Sequence, residues 1–244
     1  MTEDGRKLLG IIGGMGAAAG ADAYRRLVDL TPVKVDQDHI PTILYSNTDI
    51  PDRTAGILGK GPSSEPKLIE SAQLLERNGC DIIILACVTS HHFINDVRAA
   101  VNCRVMSVVE ETVSAIIQKA PSVTTVGIMA TTGTISTRLF QNELERQGRE
   151  ALVLTEDLQE RYVMSGLYGE DGIKAGYVEP ARTKMLWAID WLTAHGSEAI
   201  ISGCTELPLL FSQKDCPVPL FDAMECLIRR TIVQCTGREA RVHA

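Results

Sequence analysis

Cys87 and Cys204 sit in segments that say nearly the same thing. Asp81-Ile-Ile-Ile-Leu-Ala-Cys87-Val-Thr89 and Glu198-Ala-Ile-Ile-Ser-Gly-Cys204-Thr205-Glu206 each run an acidic residue, an apolar stretch of strand length, then Cys and a nearby Thr. Each follows a helix-like run closing on glycine, Leu75-Glu-Arg-Asn-Gly79 and Leu192-Thr-Ala-His-Gly196. One such cysteine would read as a small buried apolar side chain. Two, each at the carboxyl end of a strand, suit a reaction in which a proton leaves one face of a carbon and returns on the other. A thiolate then serves as base and a protonated thiol as acid. Cys80, Cys103, Cys216, Cys226 and Cys235 lack this context and read as structural.

Other residues fall where such a reaction would need them. Backbone amides and hydroxyls of Val88-Thr89-Ser90 and Thr205-Glu206 would be able to stabilise a thiolate and a substrate carboxylate together, and a helix start at either loop would add partial positive charge. Arg53, in Ile50-Pro-Asp-Arg-Thr54, follows the strand ending Tyr45-Ser-Asn47, and its planar guanidinium suits a two-bond grip on a carboxylate. Lys174 lies between glycines in Gly172-Ile-Lys-Ala-Gly176, as a solvated turn or as a cation closing over a site. His91, His92 and Glu206 read first as caps or solvated surface groups, with His91 one helical turn from Cys87. Gly13-Gly14-Met15-Gly16 follows the first strand, but no register completes a dinucleotide fingerprint and no acidic residue ends the second strand. Close backbone approach to a small carboxylate explains those glycines.

Apolar runs bounded by turn residues alternate with amphipathic stretches, the pattern of a parallel α/β sheet. Strands are expected near 8–13, 41–46, 81–86, 104–106, 123–128, 151–154, 198–203 and 218–220. Helices are expected near 18–30, 65–78, 90–101, 107–119, 134–147, 156–167, 179–195 and 222–235. Leu8-Leu-Gly10-Ile-Ile-Gly13 resembles Thr125-Val-Gly127-Ile-Met129-Ala. Gly10 and Gly127 stand 117 residues apart, as do Cys87 and Cys204. The expected fold is two pseudo-symmetric α/β domains, 1–106 plus 218–244 and 107–217, each a mainly parallel sheet flanked by helices. Because ligands sit at the carboxyl ends of such strands, the expected active site lies in the cleft between the domains.

Composition narrows the partners. With 244 residues, 45% of them hydrophobic, the chain can bury a full core. A net charge of −7 without a basic stripe argues against nucleic acid and anionic membrane. Apolar runs are of strand length, so no membrane span is expected. The seven cysteines show no metal spacing and no secretory segment is read ahead of the first strand, which together point to reduced thiols in the cytoplasm.

Taken together, Gly13-Gly14-Met15-Gly16, Ile50-Pro51-Asp52-Arg53-Thr54, Ile57-Leu58-Gly59-Lys60-Gly61, Cys87-Val88-Thr89-Ser90-His91, Ala130-Thr131-Thr132-Gly133-Thr134, Lys174-Ala175-Gly176 and Gly203-Cys204-Thr205-Glu206 carry a specific signal. On them the chain resembles the cofactor-independent aspartate/glutamate racemase family, its aspartate-specific members most closely. The resemblance spans nearly the whole chain. It implies an amino-acid racemase, usually dimeric, that uses neither pyridoxal phosphate nor a metal. It implies Cys87 and Cys204 as the paired acid/base thiols, with Arg53 and Lys174 holding the substrate's side-chain carboxylate. The segment Val88-Thr89-Ser90 would bind the α-carboxylate, with Met15, Asn47, Thr131, Thr132 and Thr205 completing the substrate-binding set. One position departs from the pattern: the family has Cys-Asn-Thr where this chain has Cys87-Val88-Thr89, and valine cannot replace the amide's donors or acceptor. A lost hydrogen bond to a charged group is worth about 1.5–3 kcal/mol. Alternatives at this stage are a racemase for glutamate, hydantoin or another acid, a non-catalytic sensor of an acidic metabolite, and a thiol redox protein. The last is disfavoured because the cysteines form no local pair.

Overall fold

Strands that are apolar along their whole length, with no alternation, must be covered on both faces, as parallel strands between helices are. Leu9–Gly13 (β1) and Ile82–Leu85 (β3) are buried at every residue, and so is Ala199–Gly203 (β7). The computed structural model describes residues 6–241 and places eight strands in two sheets. The first has the order β2-β1-β3-β4, with β2 at Thr42–Ser46 and β4 at Arg104–Val105. The second has the order β6-β5-β7-β8, with β5 at Thr125–Ala130, β6 at Glu150–Leu152 and β8 at Leu220–Asp222. All pairings are parallel, so the strands of each sheet end on one edge. The two orders are the same, which is the architecture expected from the repeat.

Contacts divide the chain into two compact units. One comprises the chain up to Glu111 together with the chain from Met224 onward; the other is Thr112–Ala223. In the first, Ile12, Leu68, Leu75, Ile83 and Leu85 pack into one apolar cluster that also takes in Met15, Ile50 and Cys87. In the second, Met129, Met185, Ile189, Leu192 and Ile200 do the same around Cys204. Among the described residues, no helix is long and apolar enough to cross a membrane.

Long helices occur at Ala17–Leu30, Glu65–Arg77, Val108–Lys119, Val178–Ala194 and Ala223–Thr236. Four segments differ from the sequence-based expectation, each for a local reason. The segment near 218–220, expected with the first half, becomes β8 beside β7, paired Ile201↔Phe221. The stretch 90–101 begins as a 3₁₀ turn, Thr89–Phe93, before the helix Ile94–Ala99. There Ser90 and His91 side chains occupy the Cys87 carbonyl that an α-helix would use. The stretch 134–147 breaks into Thr132–Ser136 and Leu139–Arg146 at Arg138, which is left-handed at φ 55°. The Ser136 and Thr137 hydroxyls bond back to the Gly133 carbonyl at that break. The stretch 156–167 widens into a π-helix over Gln159–Met164, and the buried Gln159 amide donates to the Ala130 carbonyl at 2.8 Å.

Candidate active site

Parallel register decides what meets at the strand ends of the first unit. Gly13 pairs with Ser46, so the next residues, Gly14 and Asn47, lie against each other. Gly14 has φ +88°, and a Cβ there would lie 2.2 Å from the Asn47 carbonyl oxygen, so only glycine fits. Asn47 is itself buried, its amide donating to Ser71 Oγ at 3.0 Å and its oxygen accepting from the Asp49 amide at 3.1 Å.

Arg53 opens a short helix, Arg53–Ile57. Asp52 caps it, accepting from the Ala55 amide at 2.7 Å. The half-buried guanidinium donates to the Met15 carbonyl at 2.9 Å and to the Pro51 carbonyl at 3.1 Å. Arg53 is thus tied to the glycine loop, while Met15 shares an apolar cluster with Cys87.

Cys87 follows β3 and is 7% exposed; Val88, Thr89 and Ser90 after it are buried as well. Ser90 Oγ donates to the Cys87 carbonyl at 2.7 Å. His91, expected as a cap or surface group, is instead buried at 1% exposure. Its Nε2 accepts from the Val108 amide at 3.1 Å, which leaves the proton on Nδ1. Nδ1 then donates to the carbonyls of Cys87 at 2.9 Å and Val88 at 3.2 Å. Burial pushes the imidazole's pKa down to about 4, against the backbone bonds that favour its charged form. His91 is therefore a neutral pin that holds the backbone of the thiol loop.

In the second unit Ala130 pairs with Gly203, which sets Thr131 beside Cys204 at the strand ends. Thr131 is buried and caps Thr132–Ser136, accepting from the Thr134 amide. Thr132 donates its hydroxyl to Glu160 Oε1 at 2.5 Å. Cys204 is 8% exposed and donates to Glu206 Oε2 at 3.0 Å. Thr205 Oγ1 donates to the same oxygen at 2.9 Å, and Lys174 Nζ lies 3.2 Å from Glu206 Oε1. Lys174 also lies over the Tyr168 ring, 4.2 Å from its centroid. Burial alone would raise the Glu206 carboxyl, but the Lys174 charge and the bonds from Cys204, Thr205 and Lys174 outweigh it and hold the pKa below the usual range. Burial works against the Lys174 charge, yet Glu206, and after it Tyr168, drive that pKa upward. Glu206 is a partner of the thiol, not a solvated cap, and its position two residues after Cys204 was the available signal. Nothing local in the sequence pointed to Tyr168.

Each unit thus gathers its own share of the expected residues: Met15, Asn47, Arg53, Cys87, Val88, Thr89 and Ser90 in the first, and Thr131, Thr132, Lys174, Cys204 and Thr205 in the second. All seven cysteines are free thiols. Among the described residues no group of three or more His, Cys, Asp or Glu side chains is placed to hold a metal ion.

Comparison with known proteins bears on the chain as a whole. The family model described as Asp/Glu/Hydantoin racemase matches residues 12–231. The broad specificity amino-acid racemase RacX of Bacillus subtilis is 24% identical over 241 residues, covering 92% of this chain and 96% of that protein. Among solved structures, the aspartate racemase of Picrophilus torridus superposes with a TM-score of 0.81 at 24% identity, covering 97% of this chain and 96% of that one. The glutamate racemase of Francisella tularensis, in complex with D-glutamate, gives a TM-score of 0.66 at 19% identity, with 95% and 82% covered.

Proposed function

Since the chain belongs to the Asp/Glu/Hydantoin racemase family, we propose that it interconverts L- and D-aspartate by two-base proton transfer between Cys87 and Cys204. The observation that carries this reading is the equivalence of the thiols. Each follows the third strand in spatial order of a four-stranded parallel sheet, and each is nearly but not wholly buried. Ser90 Oγ bonds the Cys87 carbonyl, and Thr205 Oγ1 shares Glu206 Oε2 with the Cys204 thiol.

In the proposed reaction one cysteine, as thiolate, removes the α-proton and the other, as thiol, protonates the opposite face; the roles exchange for the other enantiomer. Negative charge then grows on the α-carbon and its carboxylate. Amides and hydroxyls of Val88, Thr89, Ser90 and Thr205, with Thr131 and Thr132, would stabilise that charge because they are oriented before the reaction begins. Met15 and Asn47 would shape the pocket wall. Arg53 and Lys174 would hold the side-chain carboxylate and set chain length. Lys174 has three donors, so holding Glu206 and Tyr168 leaves one for a substrate. Val88 would leave the α-carboxylate to backbone amides. The same reading carries a homodimer, supported by the family resemblance, and a cytoplasmic location, supported by the pattern of free cysteines.

The deciding experiment is α-proton exchange on L-aspartate in deuterated water, without added cofactor, followed by NMR and chiral chromatography. Deuterium at Cα together with appearance of D-aspartate supports the reading; tight binding with no exchange would instead mark a sensor of an acidic metabolite. A second reading, a racemase for glutamate or a wider set of amino acids, is favoured by Val88 and by the broad specificity of the Bacillus subtilis relative. A panel of enantiopure amino acids separates the two.

A further inference from the structure

The two thiol loops are held in different ways. At Cys87 the loop's polar side chains bond its backbone, Ser90 and His91 both donating to the Cys87 carbonyl. At Cys204 the bond is made by the sulfur itself, to Glu206 Oε2 at 3.0 Å. A carboxylate only accepts, so the hydrogen in that contact belongs to sulfur. A fixed negative charge at this distance also opposes a second one on the thiol. Lys174, 3.2 Å from the other carboxylate oxygen, moderates that opposition by neutralising part of the charge.

On the two-thiol racemase reading, we propose that Glu206 is a positioning residue that holds Cys204 in its protonated form. In the free enzyme Cys204 is then the acid of the pair, and Lys174 tunes that preference through Glu206. Glu206 neither gains nor loses a proton; the S–H hydrogen passes only to the substrate carbon. Titratable groups linked to Cys204 include Glu206, bonded to the thiol; Lys174 of the turn Ile173–Ala175, paired with Glu206; Tyr168 at the end of the helix Ser165–Tyr168, under Lys174; and Cys216 in the shared apolar cluster. Of these, Glu206 and Lys174 bear the opposing charges, so removing one should move Cys204 oppositely to removing the other.

The test is alkylation by iodoacetamide as a function of pH, read at each cysteine by peptide mass mapping, on the full chain without substrate. In Glu206→Gln the alkylation midpoint of Cys204 is expected to fall by about one pH unit, making it roughly tenfold faster below the midpoint. In Lys174→Met the same residue should slow several-fold, while Cys87 keeps its rate in both variants. A structural disturbance would speed Cys204 in both. Unchanged Cys204 rates in Glu206→Gln, or shifts of the same sign in the two variants, would overturn the proposal. Alkylation needs no turnover, so the outcome is separable from that of the racemase reading. Opposite shifts with no α-proton exchange would keep the charge coupling and remove the racemase; exchange with unmoved alkylation would do the reverse.

Discussion

Replacing His91 should change how stability depends on pH, and the size of the change follows from the structure. The imidazole is buried and neutral, its two nitrogens spent on the Val108 amide and the Cys87 and Val88 carbonyls. Its pKa is pushed from an ordinary 6.5 to about 4 by burial. Above both values the ring is neutral in the folded and unfolded chain, and titration contributes nothing. Between them the unfolded chain binds a proton that the folded chain refuses, so stability is lost as pH falls through that window. Linkage over the gap puts the loss from this one group near 2 kcal/mol by about pH 5, and near 3 kcal/mol at the lower end. Urea unfolding of wild type and His91→Gln, each between about pH 8 and pH 5, isolates the term. The variant is less stable throughout, because buried partners are left unsatisfied at about 1–3 kcal/mol each. It should nevertheless lose about 2 kcal/mol less than wild type over the acid part of that range, with other titrating groups cancelling in the difference. Parallel pH dependences in the two proteins would refute the assignment of His91 as a neutral pin.

Cys87→Ala and Cys204→Ala should each abolish racemisation, since either removes one of the two proton carriers; near-normal turnover in either single variant would end the two-base scheme. Arg53→Ala should raise the KM for dicarboxylates by about ten- to a hundredfold, the loss expected for a hydrogen bond between charged groups, with kcat less affected; an unchanged KM would remove Arg53 from the site. Gly14→Ala places a Cβ 2.2 Å from the Asn47 carbonyl oxygen at a residue with φ +88°. Overpacking and left-handed strain together should cost about 3 kcal/mol, a fall of roughly 10 °C in calorimetric Tm, and a shift below 2 °C would mean the loop yields easily.

Much of the fold was legible because buried parallel strands must be apolar throughout and bounded by turn residues. Ile82–Leu85 and Ala199–Gly203 could hardly be anything else, and the shared spacing from Gly10 to Gly127 and from Cys87 to Cys204 exposed the repeat before any coordinates. Where side chains compete with the backbone, the periodicity misled. Ser90 and His91 turn the start of one expected helix into a 3₁₀ segment, and Ser136 and Thr137 sit at the break of another.

Residue type and position along the chain were enough to mark the two thiols, the glycine loop and the cations, since strand ends and unusual residues announce themselves locally. Partnership was not. That His91 spans Cys87 and Val108, that Arg53 reaches the Met15 carbonyl, and that Lys174, Glu206 and Cys204 form one charge-linked group depend on contacts between residues up to 38 positions apart. Burial then decided the charges, leaving His91 neutral while Lys174 keeps Glu206 ionised, because desolvation and a neighbouring charge act through space and leave no mark on local sequence.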